Sequence, residues 1–218
     1  MTIVYVVAGG PTEEIVLDDF LFTHEDILYI GADHGAITLL EAGITPYAAV
    51  GDFDSMTKEE WLTVKESVQE IEAFQAEKNE TDTELAILKA LEFSPTCIYV
   101  TGVTGGRLDH YESNLHTIYR MQKQFPQTPI YIMNKTNRLQ FLFAGTHQIT
   151  KDASYDYLSF YPFGEAIEKM TLRGVKYETT DLDIPIGSSR FTSNEILADF
   201  AIAMFTKGTC LMIQSKDA

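Results

Sequence analysis

The chain has 218 residues, 45% of them hydrophobic and 22% charged, which is enough for one large or two small domains with a real core and excludes a disordered chain. Its 32 acidic residues outnumber 16 basic ones, giving a formal net charge of -16; that sign repels a phosphate backbone and argues against general nucleic-acid binding. No apolar run approaches the ~20 residues needed to cross a bilayer, so no membrane partner is expected.

The first apolar run, 3–7, lacks a basic leader and passes straight into Gly9-Gly10-Pro11. It reads as a first strand, not a signal peptide. Short β-branched runs recur at 27–30, 48–50, 71–74, 97–101 and 130–133. Helix-period stretches lie between them at 58–68, 82–91 and 108–124, and a further helix stops near Gly43. This alternation predicts a Rossmann-like α/β/α domain with a mostly parallel sheet. Thr81-Asp82-Thr83-Glu84 has the form of a capping box with Glu84 reaching back, and Leu85, Leu88 and Leu91 form the apolar stripe behind it.

The character changes after about Asn134. Strand-like runs at 139–143, 155–161, 167–172, 200–205 and 210–214 dominate. Turn signals stand at Ala144-Gly145, Pro162-Phe163-Gly164, Pro185-Ile186-Gly187 and Lys207-Gly208. Together they predict a small antiparallel β-sandwich or barrel. The expected domains are 1–140, α/β, and 141–218, β-rich. Cys97 and Cys210 lie far apart in apolar runs, with neither a metal nor a disulfide spacing; they read as free thiols in a reducing, cytoplasmic setting.

Open α/β sheets bind ligands at the carboxyl ends of their strands. The polar residues just past the apolar runs are Asp33, then Asp52 and Asp54, then 78–82, then 102–109. Three of these four loops bring carboxylates, and the fourth brings glycines and an arginine. In an extended segment i and i+2 point the same way, so Asp52 and Asp54 would face one cation. Mg²⁺ takes one or two carboxylates plus substrate phosphates. A lone Asp-x-Asp is more often a turn; Asp82 and Asp109 on neighbouring loops tip the reading towards a metal and phosphate site. In 101–110, Gly105 and Gly106 let backbone N–H groups approach a phosphate at a helix start, and Arg107 offers a bidentate grip. The loop is neither a Walker A sequence nor Gly-x-Gly-x-x-Gly. His24, His34, His110, His116 and His147 show no ligand spacing, and no serine sits in a nucleophile elbow.

Four segments in this order and spacing resemble the thiamin pyrophosphokinases: Gly31-Ala32-Asp33-His34-Gly35-Ala36, Gly51-Asp52-Phe53-Asp54-Ser55, 77–84, and Thr101-Gly102-Val103-Thr104-Gly105-Gly106-Arg107-Leu108-Asp109-His110. Thr192-Ser193-Asn194-Glu195 is similar to the family's thiamin-contacting stretch. The resemblance implies transfer of pyrophosphate from ATP to the thiamin hydroxyl, dependence on Mg²⁺, and a homodimer whose sites lie between subunits. It implies that Asp52, Asp54 and Asp82 hold Mg²⁺ and the ATP phosphates, with Arg107 and Asp109 completing the phosphate site. The nucleotide would lie against Asp33, Thr81, Gly105, Gly106 and Arg107, while Ser193 and Asn194 meet the aminopyrimidine of thiamin. Asn79 stands where many relatives carry Asp, which lowers the negative charge there. The proton acceptor is left between Asp82 and Asp109. The competing readings are a haloacid-dehalogenase-like phosphatase, a non-catalytic nucleotide-sensing module, and a pyrophosphokinase with another acceptor.

Overall fold

The computed structural model describes residues 2–17, 27–74 and 80–218. The chain divides into two compact units, Met1–Lys135 and Thr136–Ala218. In the first, β1 (Ile3–Val7), β2 (Ile27–Ala32), α1 (Gly35–Glu41), β3 (Ala48–Gly51), α2 (Lys58–Ser67), β4 (Glu70–Ala73), α3 (Asp82–Glu92), β5 (Cys97–Thr101), α4 (Leu108–Gln124) and β6 (Ile130–Met133) follow in turn. The strands pair in parallel in the order β6-β5-β1-β2-β3-β4. β1 is the central strand, and Val4, Tyr5, Val6 and Val7 are all fully buried, as its near-continuous apolar sequence requires. The chain runs outward from β1 to β4, then resumes on the other side at β5. The order therefore reverses between β1 and β5, where such sheets open a crevice.

Two local expectations are corrected here. α3 buries Ala86, Ile87 and Ala90 completely, whereas Leu85, Leu88 and Leu91 are half-buried. The helix packs on β1, β2 and β3, and alanines allow that close approach while the leucines flank it. Thr81 caps α3 through the Glu84 N–H, but the Glu84 carboxylate turns to Arg120 at 2.6 Å instead of reaching back. A reciprocal capping box occurs one helix earlier, between Thr57 and Glu60 of α2.

The second unit holds β7 (Asn137–Thr150), β8 (Tyr157–Pro162), β9 (Ile167–Arg173), β10 (Thr179–Ile184), β11 (Phe191–Asn194) and β12 (Phe200–Ser215). All pairings are antiparallel: β10-β9-β12-β7, with β8 joined to β12 and β11. Residue 140 lies inside β7. The signals at Ala144-Gly145 and Lys207-Gly208 are not turns. Gly145 pairs with Phe205, and the register shifts between Phe205 and Thr209, so they mark one shared kink in the long β7–β12 ribbon. Past the kink, β12 changes its second partner from β9 to β8. Phe160, Phe205, Leu158, Ile167, Met170 and Leu172 fill the core of this unit.

Candidate active site

A cavity of about 880 Å³ opens in the first unit at the carboxyl ends of β1, β2 and β5 and the first turns of α3 and α4. Its walls interlock without room for side chains. A Cβ on Gly10 would strike the Gly102 carbonyl oxygen, and one on Gly102 would strike that of Ala8. Gly105 and Gly106 both adopt left-handed backbone, with φ of 78° and 64°, and they turn the loop into α4. Asn134 donates to Thr104 Oγ1 at 3.0 Å and pins the same loop. Asp33, Thr81, Asp82, Gly105, Gly106, Arg107 and Asp109 all line this cavity, so three of the four loops read from sequence meet in one place. The segment Ala8-Gly9-Gly10-Pro11, with Ser113 and Asn114, also lines it and was missed. The signal was available, since Gly9-Gly10 follows the first strand as directly as the glycines after β5.

The acidic loop is built differently from the expectation. Phe53 is left-handed, with φ of 58°, so Asp52 and Asp54 do not flank an extended residue. The Phe53 ring is buried against Trp61, 4.7 Å between centroids, and this packing holds the unusual backbone in place. The Asp54 N–H donates to Asp52 Oδ1 at 3.2 Å, and the turn brings the two carboxylates together. Neither lines the cavity wall. The negative charge of Asp52 raises the pKa of Asp54, with partial desolvation and the charges of Asp33 and Asp82 adding to it. Asp33, also left-handed, accepts from the Ser55 hydroxyl at 2.8 Å through Oδ2. Its Oδ1 is buried with no hydrogen-bond partner among the described residues. Among the described residues, no three acidic, His or Cys side chains stand close enough to hold a metal ion unaided.

Arg107 binds Asp109 with two contacts, Nη2 to Oδ2 at 2.6 Å and Nε to Oδ1 at 3.1 Å. Both side chains are well exposed. The guanidinium, helped by the His110 N–H, pulls the Asp109 carboxyl down to about 2. Residues 77–79, including Asn79, and His24 lie outside the described residues.

In the second unit, Ser193 is exposed and left-handed, with φ of 54°, and its N–H donates to Ser159 Oγ at 2.9 Å. Asn194 is fully buried. Its Oδ1 accepts from the N–H groups of Tyr177 and Glu195, and its Nδ2 donates to the Tyr177 carbonyl. The Asn194 carboxamide therefore clamps the Tyr177 loop.

The catalytic-domain model of thiamin pyrophosphokinase matches residues 21–132, and the model of that enzyme's vitamin B1 binding domain matches 146–209. The chain belongs to the thiamin pyrophosphokinase family. A thiamine pyrophosphokinase of Bacillus subtilis (strain 168) is 39% identical over 217 residues, covering all of both chains. The crystal structure of thiamine pyrophosphokinase from Bacillus subtilis superposes with a TM-score of 0.91 at 39% identity, covering all of both chains. The yeast thiamin pyrophosphokinase structure, at 17% identity, shares the fold with a TM-score of 0.79 over 99% of this chain and 86% of its own. Those two similarities span both units.

Proposed function

We propose that this chain transfers pyrophosphate from ATP to the hydroxyl of thiamin, yielding thiamin diphosphate and AMP. One observation carries the reading: the catalytic and vitamin B1 binding models match successive halves of a chain that is 39% identical, end to end, to a thiamine pyrophosphokinase. Neither a phosphatase nor a sensing module is favoured by those matches.

The residues present fit a divalent cation. Asp33 keeps a buried carboxylate oxygen with no partner among the described residues, beside an acidic loop whose charges raise the pKa of Asp54. That arrangement is costly without a cation or a donor nearby. Asp52, Asp54 and Asp82 would hold Mg²⁺, with ATP phosphates supplying further ligands. When bound, Mg²⁺ supplies alignment and charge neutralisation at the phosphate oxygens. The N–H groups of Gly105 and Gly106 and the Arg107 guanidinium receive phosphate, with Thr81 and Asp33 beside them. The thiamin oxygen attacks the β-phosphorus in line, the bond from that phosphorus to the α,β-bridging oxygen breaks, and AMP leaves. The hydroxyl proton goes to Asp82 or Asp109; the Arg107 contact to both Asp109 oxygens also orients the guanidinium.

On this reading residues 1–140 form the Rossmann-like ATP site, and 141–218 form a β-sandwich or barrel that binds thiamin and dimerises. Ser193 would meet the aminopyrimidine, while Asn194 serves it through the loop it clamps. The active unit is a homodimer with sites completed between subunits, working in the cytoplasm; no described helix is long and apolar enough to cross a membrane. An acceptor panel with ATP and Mg²⁺ tests the substrate. Turnover of thiamin is expected, and turnover of some other alcohol with thiamin inert would contradict it.

A further inference from the structure

Trp61, the single tryptophan of the chain, falls in a helix-period stretch where packing is the ordinary reading. The structure gives it one particular partner. Its ring stacks on Phe53, 4.7 Å between centroids and 28° between planes. Phe53 separates the two carboxylates of the acidic loop, and it combines a buried ring with a left-handed backbone at φ 58°. A non-glycine residue rarely holds that backbone, because its Cβ crowds the following carbonyl. The turn also brings two like charges together, which adds to its cost. The hydrogen bond within it, from the Asp54 N–H to Asp52 Oδ1, is 3.2 Å long and open to water, so it does little to offset these terms.

The indole is fixed from behind, by α2. That helix is closed at its start by the Thr57–Glu60 capping box, and Val64 and Val68 anchor it in a cluster with Ala36, Ile37 and Ala49. The Trp61 N–H donates to the Thr57 carbonyl at 3.0 Å, and Lys65 Nζ stands over the Trp61 ring at 4.8 Å. Phe53 is thus laid on a platform that does not depend on the loop. Aromatic stacking and the strain of one left-handed residue are comparable in size, so removing the indole frees the turn to sample other backbones. A cation would then have to order the turn as it binds, which lowers its affinity. We propose that Trp61 is a positioning residue for the divalent-cation site: through Phe53 it sets how tightly Asp52 and Asp54 take the cation. The inference rests on the cation site of the proposed function and does not depend on thiamin being the acceptor.

The test measures binding of the α,β-methylene analogue of ATP, which cannot be cleaved at the reacting bond, by calorimetry of the full chain with excess Mg²⁺ and again with EDTA. The ratio of the two affinities isolates what the cation adds. Trp61→Leu keeps apolar volume and removes the ring. It should lower that ratio roughly three- to tenfold, the range of one aromatic pair, with the affinity in EDTA unchanged. Trp61→Phe restores a ring and should recover most of the loss. A packing role alone would lower stability and leave the ratio as in the parent. The parent also carries its own reporter: Trp61 emission should change when Mg²⁺ is added to the analogue complex, and this reading holds the test open if Trp61→Leu misfolds. Equal ratios in parent and Trp61→Leu, or an emission unmoved by Mg²⁺, would overturn this inference and leave the proposed reaction standing. A parent whose affinity for the analogue ignores Mg²⁺ would instead remove the cation site itself.

Discussion

The loop Gly51-Asp52-Phe53-Asp54-Ser55 and the stretch Thr192-Ser193-Asn194 make an instructive pair. Each turns on one left-handed non-glycine residue, Phe53 at φ 58° and Ser193 at φ 54°. In the first, the aromatic ring is packed, while Asp54 is raised by Asp52 and the neighbouring Asp33 keeps one buried oxygen without a partner among the described residues. In the second, the polar group is satisfied throughout, since Asn194 spends both ends of its carboxamide on the backbone of residues 177 and 195. Polar groups left unmet point to a ligand, whereas polar groups fully met point to the scaffold. On the proposed reading the two stretches separate into a chemical role and a positioning role.

The sharpest break of this comparison is Asp54→Ala. It should lower kcat/KM for thiamin by roughly 100- to 1,000-fold, the size of losing one charge-stabilising group. Its effect on stability should run the other way. A carboxyl whose folded pKa is raised binds its proton more tightly in the folded state, so its ionisation opposes folding at neutral pH. The variant's melting temperature without metal should equal or exceed that of the parent, and a clear fall would contradict the account.

Asn194→Ala should reverse this pattern. It leaves two part-buried N–H groups and one carbonyl without this partner, which should cost about 1–3 kcal/mol in denaturant unfolding. Activity should fall through thiamin KM more than through kcat. Unchanged stability would return Asn194 to the substrate-contacting role.

Lys89 gives a scaffold control in the first unit. Its buried ammonium reaches Glu70, Glu72 and Glu92 at 2.8, 2.8 and 2.9 Å. Lys89→Met should cost about 1–3 kcal/mol, tempered by the exposure of the three carboxylates. The Lys89 hydrogen bond lowers the Glu70 pKa, so this stabilisation is present above the ordinary carboxylate value of 4.5 and is lost as pH falls below it. Lys89 is raised, chiefly by Glu70, so its share is full below 10.5 and is lost only at strongly alkaline pH. Urea unfolding of parent and variant should draw together as pH falls below 4.5, and a constant gap would refute the assignment.

Ser55→Ala should have the smallest effect. It removes the hydroxyl from Asp33 and should change unfolding free energy by about 0.5 kcal/mol or less. The apparent activation constant for Mg²⁺ should rise roughly three- to tenfold, in line with loss of a supporting contact to a metal site. Restoration by Ser55→Thr separates the hydroxyl from a packing effect.

The same division explains what the sequence disclosed. β1, β5, β6 and α4 run over the residues that their apolar patterns mark, because buried parallel strands and a long amphipathic helix carry strong periodic signals. β10 and β11 escaped notice. Thr179–Ile184 is mostly exposed and Phe191–Asn194 has only four residues, so no apolar run announces them. β12 read as two strands because Lys207-Gly208 looks like a turn, although its partner β7 bends at the matching Gly145. Residue types at strand ends marked three loops that line the cavity of the first unit. The left-handed Phe53, the Arg107–Asp109 pair and the inward commitment of Asn194 depend on contacts that sequence spacing does not encode.

The central claim is the transfer itself, and ³¹P NMR of the chain with ATP, Mg²⁺ and thiamin reads it directly. The account predicts AMP and thiamin diphosphate in equal amounts, with no ADP and no free phosphate. Formation of ADP with thiamin monophosphate, or release of phosphate alone, would contradict it.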